Sequence, residues 1–195
     1  MPGCVVAALG TLAAPPDALA DAALHSYRGQ PLAAMDAAMR QYLADCHRLP
    51  DLDLDLDLDA CLRVWEATMA LPGAGEVVAP RWSHGDLLAE NLLLRDGRLA
   101  AVLDFGGLAV GDPTVDLVVG WEVLDPSGRK VFRSLSGTDE VTRQCGHAWA
   151  LAIAVMTFPT TGTRCPAAAP PAPPWPAPYW PMRCRSFRQD DDMQR

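Results

Sequence analysis

Residues 82–106 read WSHGDLLAENLLLRDGRLAAVLDFG, and this stretch holds the most informative pattern of the chain. His84 lies two positions before Asp86, and Asn91 lies five positions after it. Asp104 comes 13 residues after Asn91 and begins an Asp-Phe-Gly tripeptide. Asp86, Asn91 and Asp104 thus bring three oxygen-bearing side chains close together in the sequence, which is more typical of a reactive site than of a packed core.

The same stretch predicts a β-hairpin. Two apolar runs, residues 91–95 and 98–104, flank Asp96-Gly97. Asp-Gly readily adopts the positive φ angles of a two-residue hairpin turn. We therefore predict that the hairpin carries Asn91 at its start and Asp104 at its end.

The spacing of these residues matches the needs of phosphoryl transfer to a hydroxyl. That reaction needs an acceptor for the hydroxyl proton and oxygen ligands that hold Mg²⁺ against the phosphates. The kinase signature H-R-D-L-x-x-x-N with D-F-G fits the stretch, with Gly85 in place of the arginine. The pattern therefore favours a Mg²⁺-dependent phosphotransferase.

Residues 82–113, with Asp116-Leu117 after them, resemble the C-terminal lobe of aminoglycoside phosphotransferases. With residues 27–32 and 121–132, the resemblance covers roughly residues 25–158. It implies Mg²⁺ and ATP, or GTP, as cofactors. The roles that it implies are a catalytic base at Asp86, Mg²⁺ ligands at Asn91 and Asp104, a loop-organising histidine at His84, and structural acids at Asp112 and Asp116.

The substrate is expected to be a small molecule with a hydroxyl group. Gly85 removes the arginine that would pair with a phosphorylated activation loop. Only six residues separate Gly106 from Pro113, and no A-P-E motif follows, so a platform for a peptide substrate is missing. A net charge of −8 and a pI near 4.8 argue against nucleic acid as a partner. The charge favours a cationic, aminoglycoside-like acceptor or simply solubility.

The nucleotide-clamping N-lobe of such enzymes is expected to be absent. The chain's one lysine, Lys130, follows Asp104 and cannot be the strand lysine that precedes the catalytic loop. The nearest G-x-G, at residues 73–75, lacks its third glycine at Val78. We expect the chain alone to transfer phosphate near background, and a separate chain could supply the missing lobe.

The predicted fold class is α+β, a mostly helical C-terminal lobe of a protein-kinase-like fold with a small central β-hairpin. Residues 1–160 form this domain, in which Trp65, Trp121, Trp149 and Met156 occupy helical core positions. Residues 161–195 form a proline-rich disordered tail, and the alternating Asp-Leu tract at 51–59 is interpreted as a loop. Helical periodicity predicts helices at 17–25, 32–48, 60–71, 113–124, 130–135 and 139–158.

Two other interpretations stay open. The chain could be a catalytically silent fragment that keeps the family core, or a metal-dependent hydrolase with His84, Asp86 and Asp104 as ligands. The six cysteines show no Cys-x-x-Cys pair, which favours reduced thiols and a cytoplasmic location. The longest apolar run, residues 148–158, is too short to cross a membrane.

Overall fold

A computed structural model of the chain describes residues 2–25, 27–48, 57–77 and 79–161. The predicted tail from residue 162 and residues 51–56 of the Asp-Leu tract lie outside the described residues. The α-helices are α1 (Pro2–Thr11), α2 (Pro16–Ala20), α3 (Asp36–Arg48), α4 (Leu58–Met69), α5 (Val119–Glu122), α6 (Pro126–Ser136) and α7 (Glu140–Thr161). Short 3₁₀ helices span Ala22–His25, Tyr27–Gly29, Leu32–Met35, Ala89–Asn91, Phe105–Gly107 and Pro113–Val118.

Four short strands form two separate two-stranded antiparallel sheets: β1 (Arg81–Ser83) with β4 (Ala109–Gly111), and β2 (Leu92–Arg95) with β3 (Arg98–Val102). The β2–β3 hairpin is the predicted one, and Asp96 and Gly97 turn it with φ angles of 53° and 70°. The mainly helical architecture with a small hairpin is thus confirmed. All regular elements described before β1 are helical, and the absence of an N-lobe stays a prediction.

Two elements were not predicted. Helix α1 has no acidic residue in its first turn and no basic residue in its last, so its sequence lacks the usual helix-end signals. It packs against α6 and β1, and Gly3 lies against Phe132 and Leu135 of α6. The β1–β4 pair escaped prediction because each strand has three residues and its partner lies far along the chain.

The main core lies where α3, α4 and α7 meet, and Trp65 and Trp149 are fully buried in it. Asp57 is the N-cap of helix α4, and its carboxylate accepts a hydrogen bond from the Ala60 N–H at 2.8 Å. Trp65 donates its indole N–H to Asp36 on α3 at 2.7 Å. The helices therefore meet through both apolar packing and a directed hydrogen bond.

A second apolar cluster supports the stretch that begins at residue 84. Leu87 and Leu88 are buried in it together with Trp121 and Phe132 of the later helices. Trp121 thus has the core role that its helical position predicted. Within the described part of the chain, no helix is both long enough and apolar enough to cross a membrane.

Candidate active site

The backbone of residues 84–86, here called the HGD loop, is hydrogen-bonded to the carboxylate of Asp116. The N–H of His84 donates to one oxygen at 2.7 Å, and the N–H of Gly85 donates to the other at 2.9 Å. Burial raises the pKa of Asp116 to about 6, although these two hydrogen bonds act in the opposite direction. Asp116 therefore serves as a buried anchor for the loop backbone, as the resemblance implied.

His84 joins the HGD loop to the segment of residues 103–107, here called the Asp104 segment. Its Nδ1 accepts from the N–H of Asp86 at 3.3 Å, which leaves Nε2 as the protonated nitrogen that donates to the Leu103 carbonyl at 2.9 Å. The ring also lies 4.6 Å from the ring of Phe105, centroid to centroid. Because His84 is fully buried and both ring nitrogens are engaged, its position organises the loop.

Gly85 brings the HGD loop and the Asp104 segment into direct backbone contact. Its φ of 77° lies in the left-handed region, which favours glycine. A Cβ at this position would overlap the carbonyl oxygen of Gly107. The glycine that stands in place of the kinase arginine is thus required by the backbone path.

Asp86 and Asn91 are brought together by hydrogen bonds. The Asn91 Nδ2 donates to the Asp86 backbone carbonyl at 2.8 Å and to its carboxylate Oδ2 at 3.1 Å. The backbone carbonyl of Asn91 accepts from the N–H of Leu103 at 2.8 Å. Asn91 therefore orients the Asp86 carboxylate and also ties it to the start of the Asp104 segment.

Asp104 is exposed, as are its neighbours in the Asp104 segment, residues 103–106. Its backbone has a φ of 54°, and its Oδ1 accepts from the N–H of Gly106 at 3.2 Å. Aspartate tolerates this left-handed conformation better than most residues because its short side chain can bond the local backbone. The carboxylate is thereby placed at the surface, in the segment that His84 and Asn91 both contact.

The residues at hand fit a magnesium ion by their chemistry. Because Nδ2 of Asn91 makes both of its hydrogen bonds toward Asp86, its Oδ1 is left as a hard oxygen for a cation. Asp104 offers an exposed carboxylate. Within the described ranges no group of three or more His, Cys, Asp or Glu side chains could hold a metal ion, so phosphate oxygens and water would have to complete the shell.

That observation also bears on the hydrolase interpretation. A site with His84 as a ligand needs a free ring nitrogen. Both nitrogens of His84 face backbone groups, and the described residues contain no such three-residue ligand cluster. The arrangement of His84 therefore favours the phosphotransferase interpretation over the hydrolase interpretation.

Arg28 is a site residue that the sequence did not reveal. Its guanidinium lies 3.4 Å from Oδ1 of Asp86, and its side chain is largely buried. Its position depends on the 3₁₀ turn at Tyr27–Gly29, which packs on β4. The Gly29 carbonyl of this turn accepts a hydrogen bond from the N–H of Asp112, the residue after β4, at 3.3 Å. No local signal marks this arginine, because it reaches Asp86 only through that packing.

Asp112 fixes the same corner of the site. Its carboxylate caps the 3₁₀ helix at Pro113–Val118 by accepting from the N–H of Thr114 at 2.9 Å. The N–H of Leu32 donates to its other oxygen at 3.3 Å, and burial raises the pKa of this acid. Asp112 thus has a structural position that joins the segment after Arg28 to the end of β4.

Comparison with known proteins agrees with this geometry. Residues 5–144 match the model of the phosphotransferase enzyme family known as APH. No curated protein matches the chain. Among solved structures, the apoenzyme of macrolide 2'-phosphotransferase MphH from Brachybacterium faecium matches with a TM-score of 0.52 and 26% identity over 83% of this chain. The match spans 54% of that protein, so the chain covers about half its length. Because the family match covers more than half of its residues, this chain belongs to the APH phosphotransferase enzyme family.

Proposed function

We propose that this chain contains the acceptor-activating and metal-holding part of an ATP-dependent or GTP-dependent phosphotransferase that acts on a hydroxyl group of a small, antibiotic-like molecule. The observation that carries the proposal is the hydrogen bond between Asn91 and the Asp86 carboxylate. It is joined through His84 to the segment that bears Asp104. Phosphoryl transfer to a hydroxyl needs a base and oxygen ligands for a metal, and these residues are of those types.

Asp86 is proposed as the acceptor of the hydroxyl proton. Its carboxylate is about one-third exposed, so an acceptor molecule can reach it. Asn91 and Arg28 contact different carboxylate oxygens and restrict the side chain to one orientation. A fixed base of this kind lowers the barrier by presenting its lone pair toward the reacting hydroxyl.

Asn91 and Asp104 are proposed to hold Mg²⁺, which when bound would neutralise charge on the nucleotide phosphates. Leu93 of β2 and Leu103, the residue before Asp104, are 42% and 47% exposed. Leu103 thus places an exposed apolar side chain next to Asp104 in the chain.

The acceptor is proposed to be an aminoglycoside-like or macrolide-like molecule. The solved relative is a macrolide 2'-phosphotransferase, and the net charge of −8 favours an acceptor with positive charge. Both acceptor classes carry hydroxyl groups. A panel of both classes therefore belongs in the assay.

Mg²⁺-dependent nucleotide binding by the purified chain, followed by transfer assays on the panel, tests the proposal. Asp104→Asn should abolish the Mg²⁺ dependence of binding. Asp96→Asn is the matched control, because Asp96 also has a positive φ and loses the same charge in the turn of the preceding hairpin. Asp86→Asn should keep nucleotide binding and, in the presence of a chain that supplies the N-lobe, lower the transfer rate by about 10²–10⁴.

If wild type and Asp104→Asn bind nucleotide equally with and without Mg²⁺, the proposal fails.

The alternative of a catalytically silent chain is favoured by one observation. Phe105, beside Asp104, is 50% exposed, so the apolar surface around the proposed metal position lacks a cover among the described residues. A separate chain that carries a nucleotide-binding lobe is proposed as the partner that would cover it, and such a partner should restore binding where the chain alone has none.

A further inference from the structure

A cavity of about 240 Å³ lies between α5, α6 and α7, apart from the candidate active site. None of the residues Asp86, Asn91 and Asp104 lines it. Its size is just below that of pockets for drug-sized ligands, which suits a small molecule. The cavity therefore requires an account of its own.

The wall of this cavity is strongly cationic although the chain as a whole is acidic. Arg129, Lys130, Arg133 and Arg143 all line it, whereas none of the lining residues in the described part of the chain is an aspartate or glutamate. The chain has 16 lysines and arginines against 24 acids, so four cations in the wall of one small cavity stand out, although Glu140 and Asp125 next to them offset part of this charge. Clefts lined by one sign of charge concentrate ligands of the opposite sign.

One carboxylate next to the cavity holds two of the arginines in place. Glu140 contacts Arg133 at 3.1 Å and also accepts from Arg143 through both of its carboxylate oxygens. These contacts lower the pKa of Glu140 to about 2. Glu140 thus fixes the guanidinium groups and at the same time competes with any other anion for them.

The floor of the cavity is apolar and aromatic. Trp121 and Phe132 are buried there, and the Trp121 ring is stacked on His147 with 5.2 Å between ring centroids. Such a floor can pack against an apolar or aromatic group while the rim binds a charge. The two parts of the cavity therefore select a molecule with both features.

We propose that this cavity binds a small organic phosphate, with the phosphate group held by the arginines and Lys130 and the apolar body packed on Trp121 and Phe132. Phosphate is chosen among anions because a phosphate monoester carries close to two negative charges and three acceptor oxygens, enough for several cations at once, whereas a carboxylate has one charge and two oxygens. The site does not depend on the proposed transferase activity. Its occupant packs on the apolar cluster that also contains Leu87 and Leu88 of the stretch after the HGD loop.

The chain provides a reporter for this site. Lys130 is the single lysine of the sequence, so ¹³C-methylation of lysine gives one side-chain NMR signal at the cavity rim and keeps the positive charge. The probe is phenyl phosphate in buffer with EDTA, which prevents Mg²⁺-dependent binding at the candidate active site. We expect a saturable shift of the Lys130 signal, no shift with phenol, and weaker binding of inorganic phosphate than of phenyl phosphate.

Three variants sharpen the test through calorimetric affinity for phenyl phosphate. Arg143→Gln should weaken binding about tenfold or more, because it removes a charged donor. Glu140→Gln should strengthen binding severalfold, because it removes the competing carboxylate while a merely structural role would predict loss. Arg98→Gln, on the exposed hairpin, is the control with the same charge change and should leave the affinity unchanged.

The proposal is overturned if Arg98→Gln weakens binding as much as Arg143→Gln, since the attraction would then be unspecific. It is also overturned if Glu140→Gln weakens binding or if phenol binds as well as phenyl phosphate. Should Arg143→Gln fail to fold, Lys130→Gln at the exposed rim takes its place with calorimetry as the readout. Unchanged affinity in that variant would count against the site.

Discussion

Gly85→Ala should separate the HGD loop from the Asp104 segment. Alanine at a φ of 77° costs about 1–2 kcal/mol by itself. The added Cβ would overlap the Gly107 carbonyl oxygen, whereas real Cβ atoms stay at least 3.0 Å from such atoms. The two backbones must therefore move apart by roughly 1 Å, a misplacement that can cost about 10²-fold in catalysis. We expect a total loss of about 3 kcal/mol or more in the free energy of unfolding.

Urea unfolding of Gly85→Ala beside Gly97→Ala measures this cost. Gly97 has a φ of 70° and open space around the position of a Cβ, so its alanine variant carries the backbone cost without the overlap. The difference between the two variants isolates the contact with Gly107. If Gly85→Ala is no less stable than Gly97→Ala and binds Mg²⁺-nucleotide like wild type, the close contact between the two segments is refuted.

Three further predictions concern the supports of the site and fold. Burial raises the pKa of Asp116 from an ordinary 3.8 to about 6, so the folded state holds more protons between these pH values and stability falls as pH rises through them. Asp116→Asn should remove this pH-dependent loss of stability, which amounts to about 3 kcal/mol. The free energy of unfolding of wild type and variant, measured from pH 4 to 7, checks this prediction. Parallel pH profiles of the two proteins would contradict the effect of burial on Asp116. Arg28→Ala should lower affinity for the acceptor or the transfer rate by freeing the Asp86 carboxylate, with unchanged Mg²⁺-nucleotide binding; calorimetry that shows lost nucleotide binding would contradict a role limited to Asp86. Asp57→Ala should cost about 1 kcal/mol through the lost cap of α4, and a urea midpoint equal to wild type would show that the cap contributes nothing.

Gly85 is visible in the sequence as a departure from the kinase motif, because it stands where the motif has arginine. The positive φ and the contact with Gly107 depend on a segment about twenty residues away, and a single sequence contains no direct sign of that contact.

The cation cavity shows the same limit. Arg129, Lys130 and Arg133 are close in sequence, and the helical pattern there was interpreted only as a helix. Arg143 joins them because Glu140, just after the turn between α6 and α7, contacts both Arg133 and Arg143, and Trp121 comes from α5. Charge clusters of this kind become visible only when the elements are assembled.

The sequence by itself determined the features that depend on neighbouring residues. The hairpin follows from Asp96-Gly97 between apolar runs, the helices after α1 follow from their apolar period, and the order of Asp86, Asn91 and Asp104 indicated the family. Only the tertiary structure decided the pairing of β1 with β4, the approach of Arg28 to Asp86 and the grouping of cations around one cavity. The physical reason is range: local propensities act over a few residues, whereas these contacts join segments that the shared core brings together.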